Sequence, residues 1–141
     1  MAKTREMDDR LYERITALCD SGNRKSDAGR HREAIADFES ALALIPKPVE
    51  EWEAATWTLV ALGDCRFLLG DYTGARRHLE QALDCPDIDG SEFLILRLGQ
   101  ARYETGDEEG AKEALQSALE MGGEELFEGE DAKYLALARS G

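Results

Sequence analysis

Apolar positions along this chain recur as a ladder at helical spacing, not as strand-like alternation. Gly29, Ala34, Phe38 and Ala41 lie within AGRHREAIADFESAL, and Gly70, Ala75, Leu79 and Ala82 within LGDYTGARRHLEQAL. Gly106, Ala111, Leu115 and Ala118 repeat the spacing within TGDEEGAKEALQSAL. Seven residues before each leading glycine stands another, at Gly22, Gly63 and Gly99, and the last two follow leucine. Ala, a large apolar residue and Ala at i, i+4 and i+7 form one face of a helix. The glycine ahead of them predicts a helix C-terminus, because a left-handed terminal residue is cheap only for Gly. Asp71 and Asp107 then fall where an N-cap is wanted. Each unit reads as a helical hairpin, with the earlier glycine a small contact point in its first helix. Such a hairpin cannot bury its apolar face alone and must stack on its neighbours.

The units are spaced 41 residues from Gly22 to Gly63 and 36 from Gly63 to Gly99, so the extra residues fall between hairpins. IPKPVEEWEAATWT is expected to end a helix at Pro46 and start a long one near Glu50, with acidic residues in its first turn. CPDIDGSEF is a turn-rich link. After the third unit, GGEELFEGEDAKYLALARSG supplies Leu126, Phe127, Tyr134, Leu135 and Leu137. These predict a short capping helix over the apolar side that the last hairpin would otherwise expose.

With its Leu-Gly, its Gly-Asp-Tyr and its Ala, large apolar, Ala ladder, the pattern resembles the tetratricopeptide repeat (TPR) over roughly residues 15–121, most fully in the second unit. The resemblance implies an all-α fold: a right-handed α-α superhelix of three hairpins plus a C-terminal cap, about seven helices in one domain. Repeat one would cover about 11–46, repeat two about 50–86, repeat three about 90–122 and the cap 124–141. The first unit departs from the family pattern, with Ser21-Gly22 for Leu-Gly and Arg30-His31 for Asp-Tyr. Lys25, Arg66 and Arg102 stand where the first helix usually carries an aromatic, although Phe67 and Tyr103 lie one position later. The family's closing proline is clear only at Pro46 and shifted to Pro86 in unit two.

Composition narrows the function classes. The 141 residues carry 30 Asp and Glu against 17 Lys and Arg, a net charge of −13. The first 30 residues balance at +1, so the acidity lies in the remainder, at −14. Such a field repels nucleic acid and anionic membrane and speeds encounter with a basic partner. It also serves solubility with no partner at all. The start, MAKTREMDDR, is charged, and runs such as WTLVAL fall far short of the roughly 20 apolar residues that span a bilayer. A cytoplasmic, soluble protein is expected, monomeric or weakly dimeric.

No catalytic or cofactor motif is present: GxxxxGK[ST], HExxH, GxSxG and GxGxxG after a strand are all absent. Cys19, Cys65 and Cys85 are odd in number and far apart, which predicts reduced, packed thiols. His31 takes the family's Tyr position and is expected to be a packed ring, and His78 lies near solvent or a neighbouring helix. The acidic clusters read as helix starts and solvated faces, and DIDG (Asp87 to Gly90) lacks the rest of a calcium-loop series.

The resemblance places the first helix of each unit along a concave groove. That geometry assigns Thr16, Cys19, Asn23 and Ser26 from unit one, and Trp57, Val60, Asp64 and Phe67 from unit two. Unit three gives Phe93, Leu96, Gln100 and Tyr103. Partner-binding candidates are Asn23, Trp57, Asp64, Phe67, Phe93, Arg97, Gln100 and Tyr103, with Trp57 and Tyr103 expected as surface anchors. Phe67, Phe93 and Leu96 read equally well as core. Relatives that grip C-terminal carboxylates do so with two lysines, two asparagines and an arginine. Here those positions hold Cys19, Asn23, Ala61, Phe93 and Arg97, so such a clamp is not expected. What remains is a non-catalytic protein-binding module with no metal or cofactor. With a tail similar to FEGEDAKYLALA, this small acidic chain resembles bacterial TPR proteins, some of which serve as immunity proteins in toxin systems, and that would make the partner a basic toxin such as a nuclease. An adaptor or chaperone for a secreted or assembled partner is one alternative, and an enzyme or metal-binding protein, from a different class, is the other.

Overall fold

The computed structural model describes residues 6–86 and 91–140, so the DIDG segment lies outside the described residues. Among those described, seven α-helices follow one another: α1 (Asp9–Asp27), α2 (His31–Leu44), α3 (Glu53–Leu68), α4 (Tyr72–Ala82), α5 (Glu92–Glu104), α6 (Glu108–Gly122) and α7 (Ala132–Arg139). They form three antiparallel hairpins, α1–α2, α3–α4 and α5–α6, stacked as a right-handed superhelix and closed by α7.

Within each hairpin the same turn recurs. Gly29, Gly70 and Gly106 adopt φ of 80°, 84° and 90°. The next residue's N–H then reaches back to the carbonyl of Lys25, Arg66 or Arg102 at 2.8, 2.8 and 2.9 Å. This closes the preceding helix. Asp71 and Asp107 start the following helices by accepting from the N–H of Gly74 (3.0 Å) and Gly110 (2.9 Å). The first unit, with Arg30 at that position, has no side-chain cap. Asp8 caps α1 at the same spacing, accepting from the N–H of Leu11, and Asp131 caps α7 by accepting from the N–H of Lys133, one residue nearer.

The hairpins close where a large side chain of the second helix meets a glycine of the first. A Cβ added at Gly22 would stand 2.7 Å from Phe38; at Gly63, 2.5 Å from Leu79; at Gly99, 2.8 Å from Leu115. All three large residues are buried, as are the alanines of their ladders, Ala34, Ala41, Ala75, Ala82, Ala111 and Ala118. Small residues there bring two backbones together, and the single large one fills the space between them.

Stacking joins the units. The inner helices α3 and α5 lack a clean polar face because each is packed from both sides. On α5, Leu94, Leu98 and Ala101 join the core of units one and two, whereas Leu96 joins Leu115, Phe127, Tyr134 and Ala138 beneath the cap. Charge pairs repeat with the same register. Arg66 of α3 meets Glu39 of α2 at 3.1 Å, and Arg102 of α5 meets Glu80 of α4 at 3.3 Å. The basic residues that replace the family's aromatic therefore tie each first helix to the hairpin before it, and Lys25, with no earlier hairpin, pairs with Asp37 instead.

Two details differ from expectation. The helix expected near Glu50 begins at Glu53, because Val49–Glu51 is a short 3-10 turn and Trp52 is extended at φ −119°, ψ 134°. The Trp52 indole anchors that bend by donating to the carbonyl of Pro46 at 2.8 Å. The cap is built in two pieces, a 3-10 turn over Glu124–Phe127 followed by α7.

Replacing Gly63 with alanine is expected to lower stability by about 1–3 kcal/mol, the usual cost of overpacking, because both the Leu79 side chain and the α3 backbone are enclosed. Urea denaturation checks this; an unchanged midpoint would show that the hairpin does not close on that contact.

Candidate functional site

The first helices α1, α3 and α5 stand side by side and frame one groove. Asn23, Trp57, Asp64 and Phe93 line a single depression of about 400 Å³ there, with Ser26, Asp27, Thr56 and Val60 among its other walls. Trp57 is 43% exposed and Phe93 37%, so both rings present apolar surface to the groove. Phe93 reaches this place because it sits in the first turn of α5, before the neighbouring helices close around it. Asp27 leaves the lining acidic, whereas the Asp64 carboxylate there is already paired with Arg97.

Of the other four candidates, Phe67, Arg97 and Gln100 meet beside the segment leading into α7, and Tyr103 packs against α7 itself. Arg97 is 6% exposed and lies between the rings of Phe67 and Phe93, with its guanidinium carbon 4.7 and 5.0 Å from their centroids. Its Nε donates to Asp64 at 3.0 Å, and its Nη1 donates to Gln100 at 2.7 Å and Glu130 at 2.9 Å. Gln100 is 0% exposed and donates in turn to Glu130 at 2.8 Å. One arginine thus holds carboxylates from α3 and from the segment leading into α7. Burial pushes the Asp64 carboxyl above the ordinary aspartate range, and the nearby Arg97 charge only partly reverses that.

This arrangement sets how far each remaining groove position reaches solvent. Gln100 and Arg97 are not surface contacts, because the Glu130 segment folds over them. Tyr103 is not an open anchor: it is half-buried and stands edge-on to Tyr134, with centroids 5.9 Å apart. Phe67 is half-buried against both core clusters, and Leu96 is fully packed. Cys19 is likewise buried, touching Thr58 at 3.4 Å. Glu130 was missed because nothing in its local sequence separates it from the other acidic residues of the cap; only its contact with two polar α5 residues sets it apart.

The same cap carries a second anchor. Tyr134 donates to Glu104 at 2.6 Å, and Lys133 pairs with the same carboxylate at 2.9 Å. Burial opposes ionisation of Glu104, yet these two bonds hold its pKa below the usual range.

Reactive chemistry finds little support. Burial pushes the thiols of Cys19, Cys65 and Cys85 above their usual range, away from the nucleophilic thiolate. His31 is half-buried and shares a hydrogen bond with Ser26 at 3.3 Å. His78 packs beside α2, and burial first, then the charges of Arg66 and Arg77, depresses its pKa to about 4. Among the described residues no group of His, Cys, Asp or Glu is arranged to hold a metal ion, and no helix is long and apolar enough to cross a membrane.

The tetratricopeptide repeat family model matches residues 9–86, and a second tetratricopeptide repeat model matches 94–120. The chain belongs to this family, whose members are typically non-catalytic protein-interaction modules. Solved structures share the fold. The first TPR of Spaghetti bound to HSP90 peptide SRMEEVD is similar with a TM-score of 0.71 at 16% identity, covering 91% of this chain and 93% of that one. The C-terminal TPR-containing domain of a Plasmodium falciparum FK506-binding protein gives 0.73 at 20% identity, covering 94% and 88%. MamA gives 0.64 at 18% identity, covering 88% and 75%. No curated protein sequence matches this chain.

Replacing Arg97 with glutamine is expected to cost about 3 kcal/mol, the low end for breaking a buried ion pair, since Asp64 and Glu130 keep some solvent contact. Hydrogen exchange should then accelerate in α7 more than in α1. Equal protection of α7 in both proteins would mean that the cap does not depend on this arginine.

Proposed function

We propose that this chain is a non-catalytic capture module that takes a basic protein into the open half of its groove. Most concretely it is a cytoplasmic immunity protein, monomeric or weakly dimeric, that covers the active face of a cognate toxin such as a nuclease. The observation that carries this reading is the depression between α1, α3 and α5, where two exposed aromatics, Trp57 and Phe93, stand beside Asp27 and Asp64. Aromatic anchors ringed by acidic groups suit a partner with a basic, partly apolar surface. The net charge of −13 adds long-range attraction to such a partner and raises the rate of encounter.

The adaptor or chaperone reading draws on the similar Spaghetti structure, whose bound peptide SRMEEVD carries three acidic residues in its last four. Here the groove is itself acidic, and its one buried arginine already holds two carboxylates. An acidic peptide therefore fits this groove less well than a basic surface does.

Co-expression with the basic product of a neighbouring gene provides the test. Growth should be rescued, a complex should form, and its affinity should fall steeply as salt is raised. Phe93→Ala should weaken the complex by at least about 2 kcal/mol, as expected of an anchor residue. A failure to rescue growth with no complex formed, or a complex indifferent to both salt and Phe93, overturns the reading.

A further inference from the structure

Trp57 has a second side. Beyond the groove it forms one wall of a cleft of about 600 Å³ between the start of α1 and the start of α3. Tyr12 stands in this cleft, 45% exposed, with its ring edge-on to Trp57 at a centroid distance of 6.3 Å and an interplanar angle of 76°. Two large rings held open to solvent at right angles leave a corner with two aromatic surfaces on it. Two carboxylates stand at that corner, Glu6 and Asp9, both from the α1 side. Tyr12 and Glu6 do not line the groove, and Phe93 does not line the cleft, so the two places share only Trp57 as a wall of this kind.

Aromatic faces attract cations through their quadrupole, and nearby carboxylates strengthen that attraction while repelling anions. An apolar occupant would gain nothing from the acidic rim. An acidic one would be repelled by it. We infer that this cleft is a binding site for a single lysine or arginine side chain of a partner protein, seated against Tyr12 and Trp57 and ringed by Glu6 and Asp9. It rests on the reading that the partner is basic, but it places one contact outside the groove. A segment bound along α1 and α3 would pass over Trp57 and set a basic side chain in the corner.

The chain's only two tryptophans, Trp52 and Trp57, both line the cleft, so intrinsic fluorescence reports on it directly. The probe is a blocked Gly-Arg-Gly peptide, compared with its lysine counterpart and with its uncharged citrulline counterpart. The arginine and lysine peptides should give saturable changes and bind roughly five- to thirty-fold more tightly than the citrulline peptide. Tyr12→Ala should weaken arginine-peptide binding about three- to tenfold, Glu6→Gln to a smaller extent, and 0.5 M NaCl should weaken it as well. Phe93→Ala should leave it unchanged. An unaltered far-ultraviolet circular dichroism spectrum keeps the Tyr12 result interpretable, because that ring is exposed. Equal binding of the citrulline peptide, or no effect of Tyr12→Ala, overturns the inference. A fluorescence change on Lys3→Gln with Arg5→Gln, without any response to peptide, also overturns it by making the chain's own start the occupant. Loss of Phe93-dependent capture with peptide binding intact removes the groove reading alone; the reverse removes only the cleft.

Discussion

Each hairpin depends on a place where no Cβ can stand. Phe38, Leu79 and Leu115 press into the backbone at Gly22, Gly63 and Gly99, and an added methyl group would overlap each of them. That contact sets how closely the two helices of a unit approach, and the flanking alanines keep the approach close along the ladder. The glycine seven residues further on turns the chain so that the ladder faces back onto the first helix. Neither device works without the other: the turn brings the faces together, and the close contact gives them something to bury.

Close hairpins leave their first helices aligned, and the alignment makes a wall with two different ends. Between α1 and α3 the wall keeps a tryptophan in solvent and acidic groups beside it. At α5 the wall is covered, because Glu130 and Gln100 converge on Arg97 while Phe67 and Phe93 enclose its faces. A buried arginine is tolerated there only because carboxylates meet it from two sides and its planar faces lie on aromatic rings. Phe93 belongs to both ends, with one side against Arg97 and the other facing the open depression. The position that could have gripped a partner's carboxylate is spent on holding the cap.

Much of this was legible in the residues. Gly22, Gly63 and Gly99 with their partners Phe38, Leu79 and Leu115 announced the hairpins, because a packing constraint repeated three times leaves a periodic trace. Asp71 and Asp107 announced the helix starts for the same reason. The site was legible only in part. Asn23, Trp57, Asp64 and Phe93 do share one depression, as their equivalent positions suggested. The fates of Arg97, Gln100 and Tyr103 could not be read, since they are decided by Glu130 and Tyr134 roughly 30 residues away, in a segment that repeats nothing earlier. Nor did spacing show Tyr12 beside Trp57, because that contact joins two units through a side chain outside the repeated ladder.

A groove that is open between α1, α3 and the start of α5, and covered further along α5 by the cap, predicts a distinct oxidation pattern under hydroxyl-radical footprinting of the free protein. Comparing like with like removes differences in ring reactivity. Tyr12 should oxidise much faster than Tyr103 and Tyr134, and Phe93 faster than Phe67, with Trp57 strongly modified. Comparable rates for Tyr12, Tyr103 and Tyr134 would mean that the cap does not cover the α5 end, and the division of the groove would be wrong.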